Sequence, residues 1–367
     1  MALETTGYGF VGLQDVFNQR VSEVGVDRVY TAIQDTAAEY NRVVNSIFAA
    51  WVTRTTMAQV QIELPGDSTL QPLDEWGNPR PVQPSGNYQM GYPIQGGGTA
   101  FGTNRVARAH MTVQEANRLT VEALQADANW MLRHAVAALL TKTAWTYNDK
   151  AAAGGYRGLG DISVNPLANG DTVPYLKRGG VGMETDSHYL GQADAIDDTH
   201  NPFPAIRQEL VEHPSNRPPF IAYVASNLVD DIGTLSEFVE LDDPNIMYGQ
   251  NNDTLPAVRA IIPIGPGVEI LGKTKSSNVW VVEMPSLPSD YMFVTAASNL
   301  SLLYQREYPA PELQGFFTER AVDGGLDKVS MIRYAGFGVA NRVAAVAYYI
   351  GNATYANPAS YTAPLAI

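Results

Sequence analysis

The side chains that could carry out chemistry are few and are scattered along the chain. There are five histidines and no cysteine, so thiolate nucleophiles and thiolate metal sites are excluded. No histidine stands in an HExxH motif, and neither GxSxG nor GxxxxGK[ST] occurs. The histidines are His110, His134, His188, His200 and His213. This inventory predicts that the protein has no catalytic site and is not an enzyme.

Three pairs of adjacent aspartates are the strongest candidates for a metal site. Asp197-Asp198, Asp230-Asp231 and Asp242-Asp243 offer the oxygen ligands that hard cations prefer. Each pair also lies near Asn, Pro or Gly, where aspartates commonly cap helices and close turns. The second interpretation is favoured, and His134 is expected to be a packed residue of a helix rather than a ligand. We therefore expect no metal and no cofactor.

A glycine-rich segment, residues 155–160 (GYRGLG), resembles a phosphate-binding loop superficially. Such loops follow a strand and lead into a helix. This segment follows a helical pattern, and no helical pattern begins after it. We expect turns between strands here and no nucleotide site.

Composition bounds the possible partners. The chain has 367 residues, of which 45% are hydrophobic, so it can bury a large core. Only 17% are charged, against about 25% in typical soluble domains, which suggests that other subunits cover part of the surface. A net charge of −14 argues against tight binding of nucleic acid. No apolar run approaches the length of a membrane span, and the absence of cysteine suits a reducing cytoplasm.

The element that organises the chain is a long predicted helix at residues 112–148. It opens with the capping-box pair Thr112 and Glu115, and apolar residues then recur near the helical period. No Pro or Gly interrupts the pattern before Gly154, so the rod would be about 55 Å long. Its charged residues exclude a membrane span, and its spacing is not a sustained heptad.

Before this rod lie an N-terminal segment and a proline-rich stretch. Residues 27–52 predict a helix with Trp51 at the end of its apolar stripe, which either packs on its own core or forms an arm on a neighbour. Residues 59–64 predict a strand, with residues 103–110 as its hairpin partner. Between them we expect an extended arm. Its aromatic residues, predicted with Trp51 to contact another subunit, are Trp76, Tyr88, Tyr92 and Phe101.

The second half of the chain predicts an α/β lobe and a set of returning strands. From Pro202, helices at residues 204–212 and 228–238 alternate with strands at 220–225, 258–262, 268–271, 279–284 and 291–295. Further strands follow at 302–308, 315–319, 329–334, 338–339 and 343–350. The last of these is nearly all apolar, as in a strand buried on both faces.

This order of parts resembles the major capsid protein of tailed bacteriophages, the Hong Kong 97 phage fold, over nearly the whole chain. The stretches that carry the resemblance are PPFIAYVASN at residues 218–227 and IRYAGFGV at 332–339, followed by Ala345-Val346. The resemblance implies an α+β fold with a spine helix at 112–148. It implies an N-terminal arm at 1–56, an extended loop hairpin at 57–110, a peripheral domain at 111–193, an axial domain at 194–304, and peripheral return strands with a C-terminal tail at 305–367.

The same resemblance implies a structural protein of the virion, assembled in the host cytoplasm. Its copies would form hexamers and pentamers and then an icosahedral shell around double-stranded DNA, with a separate scaffolding protein, a portal and a possible cement or decoration protein as partners. An encapsulin-type compartment around a protein cargo, or an enzyme with its site in the α/β lobe, are the alternatives.

Two expectations follow from comparing this chain with that family. Only about fifty-six residues precede the first hairpin strand, so we expect the mature chain to keep its N-terminus. The first lysine is Lys142, so the predicted loop has no amine for the isopeptide cross-link that some family members form. We therefore expect a shell held together without covalent bonds.

Overall fold

The structure, a computed structural model, describes residues 9–49, 51–64, 70, 72–79, 86–103, 110–149, 161–178, 183–241, 269–297, 302–323 and 326–365. The predictions for residues 155–160, for the pair Asp242-Asp243, for the strand at 258–262 and for most of the strand at 103–110 lie outside these ranges. No helix among the described residues is long and apolar enough to cross a membrane.

The described residues form five α-helices, four 3-10 turns and eighteen strands. The helices are Val21–Val24, Val26–Phe48, Val113–Leu140, Phe203–Val211 and Val229–Gly233, with 3-10 turns at Val11–Val16, Ser226–Leu228, Pro311–Leu313 and Ala359–Tyr361. The strands are β1 (Val52–Thr55), β2 (Gln59–Leu64), β3 (Gly86–Gly91), β4 (Gln95–Thr103), β5 (Trp145–Asn148), β6 (Asp161–Val164), β7 (Asn169–Leu176), β8 (Met183–Ser187), β9 (Tyr189–Gln192), β10 (Phe220–Val224), β11 (Phe238–Glu240), β12 (Glu269–Thr274), β13 (Val279–Glu283), β14 (Tyr291–Ala296), β15 (Leu303–Glu307), β16 (Phe316–Asp323), β17 (Leu326–Val339) and β18 (Ala345–Ile350).

The spine helix, Val113–Leu140, begins where the sequence predicts and ends earlier. The Thr112 hydroxyl accepts a hydrogen bond from the Glu115 backbone N–H at 3.2 Å, which caps the first turn. At 28 residues the helix is about 42 Å long. Its predicted last turns form β5 instead, which pairs with β6. The sequence there is rich in threonine and aromatic residues, which favour strands.

The N-terminal helix, Val26–Phe48, packs on the subunit's own core. The predicted apolar stripe is buried along its described length, at Val29, Ile33, Ala37, Tyr40 and Val44. The predicted helix also extends too far, because its last residue, Val52, starts β1, which pairs in parallel with β15. Because the stripe meets the spine helix and β16 of the same chain, the alternative of an arm on a neighbour is not needed to explain it.

Two sheets dominate the structure. In the first, β17 is the central strand, flanked by β15 and β16 on one side and β4 on the other, and β1 extends the order through β15. The second has seven strands in the order β11-β12-β13-β10-β14-β18-β9. The strand β10 is buried at every residue, and the helix Phe203–Val211 packs on this sheet.

The glycine run before the spine helix is a site of close approach rather than a free loop. Gly96 and Gly97 lie in β4, and a Cβ at Gly97 would come within 2.9 Å of the Trp130 ring on the spine helix. A Cβ at Gly96 would come equally close, at 2.9 Å, to the ring of Tyr334 in β17. The strand can therefore cross these two rings only because it lacks side chains at this point.

Candidate assembly surface

A two-stranded hairpin, β2 and β3, carries the candidate surface. The strands pair antiparallel from Gln59 opposite Gly91 to Leu64 opposite Gly86. The first strand has the predicted bounds, but its partner is β3 rather than residues 103–110. Within the predicted partner region, Thr103 is the last residue of β4 and pairs with Asp327 of β17.

A closed turn at residues 74–78 lies between these strands. The Asp74 carboxylate accepts hydrogen bonds from the backbone N–H groups of Trp76 at 2.9 Å and Asn78 at 2.7 Å. The backbone N–H of Gly77 donates to the Asp74 carbonyl at 2.9 Å, with Gly77 at a φ of 78° that glycine adopts without strain. The bonds from Asn78 lower the pKa of the Asp74 carboxyl. The turn therefore fixes the backbone at Trp76.

Exposed apolar side chains concentrate in this hairpin. Among the residues that the structure describes, the large hydrophobic side chains that are exposed are Met57 at 52%, Leu70 at 100%, Leu73 at 60% and Trp76 at 87%. All of them lie within one stretch of twenty residues. Exposed apolar side chains that are concentrated in one segment make this segment the candidate for a surface that another molecule covers.

Two of the five predicted contact residues are corrected by the structure. Tyr92 is fully buried and stacks edge-on against Tyr304 of β15, with ring centroids 5.3 Å apart. Trp51 is 5% exposed and packs against Phe48 and Phe293. Both side chains complete the core of their own subunit, because the segments around them pair with the first sheet and bring them beneath it.

Tyr88 and Phe101 occupy an intermediate position. The Tyr88 ring lies 6.4 Å from the ring of Tyr175, and Phe101 lies opposite Val329 in the β4–β17 ladder. Both are half-buried against the core. Trp76 is therefore the predicted residue whose side chain remains available for a neighbour, and the leucines beside it, Leu70 and Leu73, are exposed residues that the sequence analysis missed by looking for aromatic rings alone.

Away from this surface, charged groups are buried where the spine helix meets the first sheet. Asp127 and Arg333 are 6% and 1% exposed, and the guanidinium donates two hydrogen bonds of 2.7 Å to the two carboxylate oxygens. The Tyr40 hydroxyl donates to the same carboxylate at 2.8 Å, and Asn41 accepts from Arg333 at 3.2 Å. Burial and the charge of Asp127 keep the pKa of Tyr40 well above its usual value, so the hydroxyl remains a donor.

One of the aspartate pairs that the sequence offered as metal ligands, Asp197-Asp198, has structural partners. Asp197 accepts from the backbone N–H groups of Thr199 and His200 at 2.8 Å and 2.7 Å. Asp198 accepts from the backbone N–H of Ser236 at 2.8 Å, and Asp230 lies in the first turn of a short helix. His134 stacks on Trp130, with ring centroids 4.2 Å apart. These residues close turns and pack as the sequence suggests.

Comparison with solved structures bears on the fold. The chain resembles the structure of Mycobacterium phage Patience with a TM-score of 0.67 and 19% sequence identity, over 90% of each chain. The chain has the tailed-phage major capsid fold. Weaker matches are the asymmetric unit of the bacteriophage PhiM1 mature capsid (TM-score 0.49, 11% identity, 84% of this chain and 88% of that chain) and the capsid structure of the cyanophage P-SCSP1u (0.47, 11%, 83% and 87%). No protein-family model and no curated protein matches the chain.

The seven-stranded sheet crosses the boundaries that were predicted for the axial domain. The predicted axial region, residues 194–304, supplies most of the seven-stranded sheet, but β18 pairs with β14 and β9 pairs with β18. That sheet therefore takes strands from both sides of the predicted boundaries. The domain boundaries themselves stay a prediction.

Proposed function

We propose that the chain is a major capsid protein that assembles with copies of itself, through hexamers and pentamers, into an icosahedral shell around double-stranded DNA. The observation that carries the proposal is the exposed apolar group of the hairpin, Leu70, Leu73 and Trp76, on a chain with the capsid fold. In a shell, every subunit has neighbouring copies in equivalent positions. The same exposed surface can therefore be covered on every subunit.

The charge of the chain supports a container for DNA rather than a DNA-binding protein. A net charge of −14 repels phosphates on average. A shell with little attraction for its contents leaves packaged DNA free to move. We further predict a structural role without turnover of its own, with a separate scaffolding protein, a portal and a cement protein as partners. Retention of the N-terminus and a shell without covalent cross-links also remain predictions.

Electron microscopy of the purified protein tests the proposal. We expect closed shells, formed alone or with a scaffolding protein co-expressed, and DNA rather than protein inside particles from infected cells. Replacing Leu70, Leu73 and Trp76 together by serine should abolish shells, because each large apolar side chain buried at an interface contributes about 1.5–3 kcal/mol.

A matched control keeps this test specific. Serine at Glu75, which lies in the same turn and is exposed, should leave shells intact. Shells of normal yield from the triple variant would contradict the role given to the hairpin. A wild-type chain that stays monomeric at high concentration with its scaffolding protein would contradict the capsid function itself, and particles filled with protein cargo would replace it with an encapsulin-type compartment.

A further inference from the structure

Two buried histidines meet an aspartate where β8 and β9 pass the end of the helix Phe203–Val211. Asp186 lies in β8, His188 lies between β8 and β9, and His213 follows the helix. Their exposed fractions are 8%, 0% and 1%. Groups that can ionise are rarely buried together in this way unless a partner neutralises them.

Hydrogen bonds to the backbone fix which nitrogen of each ring carries a proton. The Nδ1 atom of His188 lies 2.7 Å from the carbonyl oxygen of Ala345. The Nδ1 atom of His213 lies 3.1 Å from the carbonyl oxygen of Leu176. A carbonyl oxygen can only accept, so each Nδ1 must carry the hydrogen. In a neutral ring, each Nε2 then has a bare lone pair.

These two lone pairs point at the same small volume. The Nε2 atoms of His188 and His213 are 3.0 Å apart. The Oδ2 atom of Asp186 lies 2.8 Å from the Nε2 of His213 and 3.6 Å from that of His188. Three acceptor atoms thus converge, and with both rings neutral no hydrogen lies between them. Either an added proton or a bound cation must therefore lie between the two rings.

The spacing fits a metal ion. A tetrahedral zinc ion with bonds of about 2.0–2.1 Å places its ligand atoms about 3.3 Å from one another, and the three observed separations, between 2.8 Å and 3.6 Å, bracket this value. The backbone bonds at Nδ1 are the outer contacts that orient metal-binding histidines in general. The Glu212 Oε1 atom, 3.9 Å from the Nε2 of His213, is placed to become a fourth ligand.

We propose that Asp186, His188, His213 and Glu212 bind a divalent transition metal such as zinc, which ties the β8–β9 segment to the end of the helix Phe203–Val211. Lys177 is the competitor for this position. Its ammonium nitrogen lies 2.9 Å from Glu212 Oε1 and 3.6 Å from Asp186 Oδ2, so it supplies positive charge to both carboxylates when no metal is bound. A doubly charged ion displaces it toward solvent, because the lysine side chain is already 22% exposed.

Cobalt(II) is the probe, since it takes the place of zinc and gives visible ligand-field absorption in a tetrahedral site. Titration of the wild-type protein should give that absorption with about one ion per chain, and zinc should then displace the cobalt. His188→Gln and His213→Gln should each weaken binding at least about 100-fold. Lys177→Met should strengthen binding, because it removes the competing charge.

His200→Gln is the matched control. His200 lies 3.0 Å and 3.5 Å from the carboxylates of Asp197 and Asp194, but its side chain is 44% exposed. If this variant lost cobalt binding while His213→Gln kept it, the ion would bind at the surface around His200, and the proposal would be wrong.

A measurement on the wild-type chain covers the case in which the glutamine variants fail to fold. Thermal unfolding should shift to higher temperature with added zinc and return to its starting value with a chelator, because an ion that binds the folded state alone stabilises it. Absence of both the cobalt absorption and the thermal shift would overturn the proposal and leave a proton between the two histidines.

Discussion

Two regions of the molecule reverse the usual placement of polar and apolar residues. One is the junction of the spine helix with the first sheet, and the other is the turn of the hairpin. At the junction, an arginine and an aspartate are buried, at 1% and 6% exposure. In the hairpin, Leu70 and Trp76 are exposed to 100% and 87%. Both arrangements cost free energy in an isolated chain, and they differ in what offsets that cost.

At the junction the chain supplies its own compensation. Arg333 finds hydrogen-bond partners on the spine helix and the N-terminal helix, so its charge is matched within the subunit. Trp76 is held by a local turn and has no cover among the described residues. The first region is complete in one subunit, whereas we propose that a neighbour completes the second. Three predictions test this distinction.

The largest effect is expected from one substitution made in both kinds of environment. Trp51→Ala removes a ring packed between Phe48 and Phe293 and should lower the free energy of unfolding by about 3–5 kcal/mol. Trp76→Ala should change it by less than about 0.5 kcal/mol and should instead reduce shell yield. Denaturant unfolding of unassembled subunits and sedimentation of particles measure the two quantities. A large stability loss at Trp76 would show that the hairpin is part of the subunit core.

A comparable effect is expected at the buried ion pair. Arg333→Met removes the cation beside Asp127 and leaves the buried carboxylate, with its hydrogen bond from Tyr40, as an unmatched charge. This should lower the free energy of unfolding by about 3–5 kcal/mol. Arg42→Met removes an exposed pair with Glu39 and should cost less than about 1 kcal/mol. The double change Asp127→Leu and Arg333→Met should recover most of the loss. Failure of the double variant to recover would mean that Asn41 and Tyr40 also depend on the charges.

The smallest effect concerns pH and His134 of the spine helix. Burial, with the charge of Arg133, lowers the pKa of His134 from 6.5 to about 4. Between pH 4 and pH 6.5 the unfolded chain binds more protons at this residue than the folded chain does. The contribution of the neutral His134 ring to the free energy of unfolding is therefore complete above pH 6.5 and is lost as the pH falls toward 4. His134→Leu should reduce the acid loss of stability by about 1–3 kcal/mol. An acid profile that is unchanged in His134→Leu would contradict this contribution.

Local pattern predicted much of this fold. The apolar period located the N-terminal helix, the capping residue Thr112 located the start of the spine helix, and alternation gave β2 its observed bounds. Each of these features depends on neighbours a few residues away, and a single sequence records such neighbours directly. The capsid fold was recognised from the order of these local elements.

Pairing between distant segments could not be read in the same way. Asp127 and Arg333 are separated by 206 positions, and nothing in either local pattern marks them as partners. The aromatic residues Tyr92 and Trp51 were misassigned for the same reason, since their burial depends on β15 and β14. The histidine cluster was missed because its members come from separate elements. The DxH spacing of Asp186 and His188, which puts both on one face of an extended segment, was the available signal.

The parallel pairing of β1 with β15 also bears on how the chain is made. Val52 lies opposite Leu303, and Asn41 of the N-terminal helix bonds the backbone of Phe316, 275 positions later. At about 5–20 residues per second, a ribosome needs about 10–60 s between the synthesis of the first partner and the second. The part of the N-terminal helix that packs on β16 stays uncovered for that interval, whereas its other partner, the spine helix, is synthesised earlier. Translation time, rather than subunit concentration, therefore sets the earliest moment at which a new chain can join a shell.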